Sequence, residues 1–117
     1  MEAAARGARE AGGLTIGILP GSSPQDSPPN PYIDIPIYTG ISDGRNALNA
    51  KTSDVVIAVG GGYGTLSEIA MALKNGKPVI ALRTWTISRE DVELTGLYQA
   101  ETAAQVEQIL LQVIGKK

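Results

Sequence analysis

Apolar residues fall along this chain in short runs divided by turn-forming residues, with helically spaced stretches between the runs. Glu2–Ala11 is rich in Ala and Arg and predicts a helix ended by Gly12-Gly13. Leu14–Leu19 is a short apolar strand stopped by Pro20-Gly21. Ser22–Pro31 holds four of the seven prolines and reads as an exposed loop. Tyr32–Thr39 alternates as a strand does, and Pro36 puts that strand near an edge or bends it. Gly40–Gly44 is a turn, and Arg45–Lys51 a short helix. Val55–Val59 has the length and β-branched content of a fully buried strand. Leu66, Ile69, Ala70 and Leu73 are spaced for one buried helix face, with Asn75-Gly76 as the stop. Lys77-Pro78 opens a buried strand, Val79–Leu82. Ser88–Tyr98 carries no clear pattern. Glu101–Ile114 is a last helix, with Val106, Ile109, Leu110 and Val113 on one face and Lys116-Lys117 beyond its end.

Strands alternating with helices predict parallel pairing and right-handed crossovers, hence an α/β, Rossmann-like three-layer sandwich with a mostly parallel sheet, in one domain over residues 1–117. Ligands of such sheets sit at the carboxyl ends of the strands. Pro20–Ser23, Gly40–Arg45 and Gly60–Thr65 all follow strands and are expected on one rim.

The chain is organised around Asp54–Leu73, a strand, a glycine turn and a helix. Gly60, Gly61, Gly62 and Gly64 occupy four of five positions, where backbone can take positive φ and approach a ligand closely. The helix start that follows offers free N–H groups and the positive end of its dipole, which favours a phosphate or carboxylate. A second reading stands beside this one. Thr65-Leu66-Ser67-Glu68 fits a capping box, with Thr65 as N-cap and Glu68 returning a bond to its N–H. No G-x-G-x-x-G is present, and no lysine closes a Walker-type loop.

Composition narrows the chemistry. The 117 residues are 43% hydrophobic with a net charge of −2 and no block of like charge. That argues for a folded globule and gives no footing for nucleic acid or an anionic membrane. The chain has no Cys and no His, so thiolate nucleophiles, a Ser-His-Asp triad and the commonest metal ligands are excluded. No metal site is expected. Carboxylates, Arg, Lys, Tyr, hydroxyls and backbone dipoles remain. Without a recognisable signal peptide or membrane span, a cytoplasmic location is the default expectation.

Several residues carry two readings. Arg45 is a surface cation or a site residue, and Tyr63 packs over a ligand ring or shields the turn. Asp54 reads as a turn or cap residue, and Trp85 as core beneath Ser88–Tyr98. Glu2, Arg6 and Arg9 read as a solvated helix face. Ser22 and Ser23 are within reach of a role at a phosphate.

Arg45-Asn46, Ser53-Asp54 and GGGYGTLSE ending at Glu68 together resemble the LOG (Lonely Guy) family, formerly labelled "lysine decarboxylase-like". The family motif is an Arg followed 23 positions later by the Glu of P-G-G-x-G-T-x-x-E, and Arg45 and Glu68 have that separation. Gly60 stands in place of the Pro, and Asn49 where many members carry Met. Both features, with the opening MEAAARGAREAGGLTIGILPG, resemble a bacterial branch related to molybdenum cofactor carrier proteins. The resemblance runs from Met1 to about Leu82. The family's strand–helix–strand unit ahead of the first helix has no counterpart here, so the sheet is expected to be N-terminally truncated.

LOG enzymes cleave the N-glycosidic bond of cytokinin riboside 5′-monophosphates without a metal. The resemblance implies that Gly61, Gly62, Gly64 and Thr65, with Gly60 and Tyr63 of the same turn, hold a phosphorylated ligand. It implies a catalytic pair as well, Glu68 facing the ribose and Arg45 as its charge partner, chemistry that needs neither His nor Cys. The carrier-like relatives bind a phosphorylated pterin cofactor without turning it over. The expectation is therefore a protein that binds a phosphorylated nucleotide or pterin, a molybdenum cofactor included, as a homodimer or larger homo-oligomer. A nucleoside 5′-monophosphate phosphoribohydrolase and an inactive assembly subunit are the alternatives.

Overall fold

The computed structural model describes residues 1–115; Lys116-Lys117, expected beyond the last helix, lie outside them. The elements run α1 (Glu2–Glu10), β1 (Ile16–Leu19), β2 (Ile35–Tyr38), a 3-10 turn (Ser42–Gly44), α2 (Arg45–Thr52), β3 (Val56–Val59), α3 (Tyr63–Lys74), β4 (Val79–Leu82), β5 (Leu97–Ala100) and α4 (Ala103–Gly115). The fold is α/β, with every strand pair parallel. The chain divides into two compact units, Met1–Arg45 and Asn46 onward, described in turn.

In the first unit β1 pairs with β2, from Ile16 opposite Ile35 to Leu19 opposite Tyr38. Parallel strands need a crossover of a dozen or more residues, and here the proline-rich segment supplies it without a helix. Pro36 is tolerated because β2 pairs only with β1. Both strands are shorter than the alternating pattern suggested, because a polar junction occupies their N-terminal ends. Buried Thr15 uses its Oγ1 to bond Tyr32 O at 2.5 Å and to accept from Asp34 N at 2.8 Å. The Asp34 carboxylate accepts from Thr15 N at 3.0 Å and pairs with Arg9 at 3.4 Å, and Arg9 also bonds Pro31 O. Arg9 is thus a tether between α1 and the approach to β2 rather than part of a solvated face. Arg6, paired only with Glu10 one helical turn away, fits that expectation.

The second unit is a three-layer sandwich. Its sheet has the order β3-β4-β5, with Val56 opposite Val79 and Val79 opposite Leu97. One face meets α3: Ala50, Ala58, Ile69, Ala72 and Val79 form a cluster with Val56, Leu73, Trp85 and Leu97 against it. The other meets α4, where Ile80, Ala100 and Val106 are joined by Val55, Leu82, Ile109 and Leu110. Central β4 is covered on both sides, so Val79, Ile80 and Ala81 are fully buried. Burying a side chain such as Ile80 contributes about 1.5–3 kcal/mol.

Three expectations change here, and Asp54 keeps its place ahead of the strand. β3 is an edge strand rather than a fully buried one, because α4 packs on β4 and β5; Ile57 stays 39% and Val59 47% exposed. The buried face of α3 is carried by Ile69 and Ala72, and Ala70 points to solvent. The poorly patterned segment ends in a third parallel strand, β5. Asp54 is exposed just ahead of β3. No helix among the described residues is long and apolar enough to cross a membrane.

The Asp34 carboxyl is held below the usual aspartate range, first by the Thr15 backbone N–H, with the Thr15 hydroxyl and the Arg9 charge assisting. The folded state therefore favours the charged form. Its stabilising contribution is complete above the ordinary aspartate pKa of about 3.9 and is lost as pH falls through the lowered folded value. Denaturant titrations should show Asp34→Asn less stable than the parent at pH 7, with the gap closing in strong acid. A gap independent of pH would show that the charge is not what matters.

Candidate functional site: the glycine turn of the second unit

β3 ends at Val59, and Gly60 N continues its ladder by donating to Leu82 O at 3.2 Å. The backbone then turns through the left-handed region at Gly60 (φ 55°) and Gly61 (φ 82°). This conformation penalises any residue with a Cβ. At Gly61 a Cβ would also overlap Thr65 Oγ1 and Cβ, so the turn closes tightly on the start of α3. At Gly60 and Gly62 a Cβ would meet nothing, and that side of the turn is open.

The N-cap of α3 is Gly62, and no side chain caps it. The capping box over Thr65–Glu68 therefore does not form, because the helix already starts at Tyr63 and both residues lie within it. The first amide to reach an intrahelical carbonyl is that of Leu66, onto Gly62 O at 3.1 Å. The amides ahead of it make no intrahelical hydrogen bond, and they form the donor cluster that anions use at helix starts.

The turn is held from the strand end beside it. Thr84 Oγ1 donates to Gly60 O at 2.5 Å, and Trp85 Nε1 to Gly62 O at 2.9 Å. The Trp85 ring packs against the core on one side and stacks with Tyr63 on the other, centroids 5.7 Å apart and planes at 30°. Tyr63 is 82% exposed, so the pair forms an aromatic step at the lip of the turn. Trp85 is therefore partly core and partly site wall.

Glu68 is half-buried on α3, and Asn49 Nδ2 lies 3.5 Å from its Oε2. One turn earlier on α2, buried Asn46 donates to Ser67 Oγ at 3.1 Å, and Ser67 donates to Gly64 O at 2.7 Å. This polar seam fixes α2 against the first turns of α3. It lies 3.7 Å from where a Cβ on Gly64 would stand.

Arg45 closes the first unit. Its Nη1 donates to Ile18 O at 3.2 Å, while its Nε is buried and has no partner among the described residues. In the same unit the loops after β1 and β2 are laced together, Gly40 N to Gly21 O and Ser42 N to Pro20 O. Ser23 Oγ accepts from Asp26 N at 3.3 Å, a bond local to its own loop. No group of acidic side chains suited to a metal occurs among the described residues.

The SLOG cluster4 family model matches residues 1–110. The chain belongs to the SLOG cluster4 family. An uncharacterized protein of Archaeoglobus fulgidus is 48% identical over 83 residues, which are 71% of this chain and 53% of that protein. The chain thus spans about half the length of that curated relative. Among solved structures, the molybdenum cofactor binding protein of Rippkaea orientalis superposes with a TM-score of 0.80 at 38% identity, over 97% of this chain and 71% of that one. The Moco carrier protein of Chlamydomonas reinhardtii gives 0.82 at 36% identity, over 100% and 72%.

Sequence reasoning singled out the turn of this SLOG cluster4 chain and missed what holds it. Thr84 and Trp85 lie two and three residues after β4, and the rule that loops after parallel strands line the site would have selected them. Thr84→Val removes the donor to Gly60 O and should lower stability by about 1–2 kcal/mol in urea titrations. Gly61→Ala, strained by its φ and its overlap with Thr65, should cost about 1–3 kcal/mol. Unchanged midpoints for both would mean that the turn is not fixed in this way.

Proposed function

We propose that this chain binds a phosphorylated nucleotide or pterin-type ligand, the molybdenum cofactor among them, with the phosphate on the Gly60–Thr65 turn. The observation that carries this reading is the turn itself: two left-handed glycines, an uncapped helix start and open space at Gly60 and Gly62. Such a start binds anions through its free N–H groups and dipole. The relatives from Rippkaea and Chlamydomonas, named for binding or carrying the cofactor, support the same ligand class. The Tyr63–Trp85 step offers a surface for a planar ring. A homodimer or larger assembly belongs to this reading, and the bare Ile57 and Val59 on edge strand β3 favour it.

Nucleotide phosphoribohydrolysis is the second reading, favoured by the placement of Glu68. Its carboxylate touches only Asn49 among the described residues and lies on the helix that begins at the phosphate turn. A carboxylate beside the anomeric carbon stabilises developing positive charge as the glycosidic bond breaks.

Calorimetric titration with AMP, with chromatography for free adenine, tests both readings. Binding is expected, and Gly62→Ala should weaken it about tenfold while leaving the melting temperature nearly unchanged, because its Cβ enters open space. Adenine release that disappears in Glu68→Ala would establish the hydrolase. Absence of binding by AMP and by a phosphorylated pterin would overturn the proposal.

A further inference from the structure

α3 stops at Asn75-Gly76, an exposed pair at the end of the helix opposite the glycine turn. A glycine after an asparagine has no side chain to shield its backbone nitrogen, which can then reach the asparagine's amide carbon. Gly76 is open in this sense: a Cβ placed on it would meet nothing within 4 Å. The other three asparagines lack the combination. Asn30 precedes Pro31, whose nitrogen carries no hydrogen to give up. Asn46 and Asn49 lie inside α2, each ahead of an alanine.

We propose that Asn75 is a site of spontaneous deamidation, gated by the cap of α3. In this reaction the Gly76 nitrogen attacks Asn75 Cγ and gives up its proton to solvent. The new C–N bond closes a five-membered succinimide, and the side-chain nitrogen departs as ammonia. Water then opens the ring at either carbonyl. One product is aspartate; the other is its isomer, in which the main chain runs through the side-chain carboxyl.

The fold holds the reaction back in three ways. Gly76 N donates to Leu73 O at 3.1 Å, which engages the hydrogen of the nucleophile. Asn75 Nδ2 donates to Met71 O at 2.7 Å, which pins the amide to the helix. The Asn75 ψ of 12° keeps Cβ and the Gly76 nitrogen far from the eclipsed arrangement that a five-membered ring requires. Opening the last turn of α3 releases all three, and helix ends open at much lower cost than whole domains. Asn75 therefore reacts in proportion to the time this cap spends open, without waiting for the sheet to unfold.

The product acts on the same cap. Aspartate loses the Nδ2 donor and sets a carboxylate beside Met71 O, at the negative end of the helix dipole. The isomer adds a main-chain atom to the short connection of residues 75–78, in which Lys77 N is held by Ala72 O and Pro78 O by Val56 N. Both products loosen α3 where it hands the chain to β4.

The full chain, kept at physiological temperature in neutral buffer and in urea above its unfolding transition, tests the proposal. Peptide mass spectrometry follows conversion of amide to acid at each asparagine over weeks. In the native chain Asn75 should convert while Asn46 and Asn49 stay intact, and unfolding should speed Asn75 about tenfold or more. Asn75→Asp, which makes the charged product directly, should melt a few degrees lower than the parent. Equal rates at Asn75 in the native and unfolded chains would show that the cap does not gate the reaction. Conversion of Asn46 or Asn49 as fast as Asn75, or no native conversion where the unfolded chain converts, would overturn the assignment of the site. An unchanged melting temperature for Asn75→Asp would overturn the effect on the cap.

Discussion

The parallel pairing of β3 with β4 is the constraint on which the second unit depends. Its register puts Val59 opposite Leu82, so the two strands end together and release their loops at one level. That common end lets the hydroxyl of Thr84 and the indole N–H of Trp85 reach the carbonyls of Gly60 and Gly62. A slip of one residue would reverse the faces of β3 and carry these donors out of reach. The register is guarded by the core, because Val79 and Ile80 on neighbouring positions of β4 are each buried against a different helix.

The two sides of the glycine turn have opposite tasks. Inside, Gly61 closes against Thr65 and carbonyls accept from Thr84 and Trp85, which fixes the backbone. Outside, Gly60 and Gly62 present bare backbone beside an uncapped helix start. A side-chain cap would have used the same amides that an anion needs. The absence of the Thr65–Glu68 box therefore leaves both the donors and the Glu68 carboxylate free for other contacts, and Glu68 meets Asn49 of α2 instead.

Polar groups in the two units are distributed to different ends. In the first unit the Thr15–Asp34–Arg9 junction fastens the entry of the strands, where it serves stability. In the second, the polar residues Arg83, Thr84, Gln99 and Glu101 gather at the exit of the strands, around a cavity. Parallel sheets place ligands at the exit end, and the strained Arg83 lies there rather than at the entry.

The order of strands and helices, the parallel sheet and the place of the glycine turn were legible in the sequence, because each rests on local pattern: apolar runs, helical spacing and glycine chemistry. Family membership was legible for a similar reason, since Arg45 and the turn ending at Glu68 keep their spacing regardless of packing. What the sequence left undecided were questions of which surface covers which. Val55–Val59 reads as buried on composition, yet α4 lies over β4 and β5 and leaves Ile57 and Val59 bare. Tyr98 and Ala100 carry no clear strand signal, and β5 forms because β4 offers an edge to pair with. Thr65 and Glu68 match a capping box as text, but the helix begins three residues earlier than that box requires, at Tyr63, once Gly60 and Gly61 turn the backbone. Local propensity sets which elements form; burial and the position of neighbouring strands decide which of their residues are left to meet a ligand.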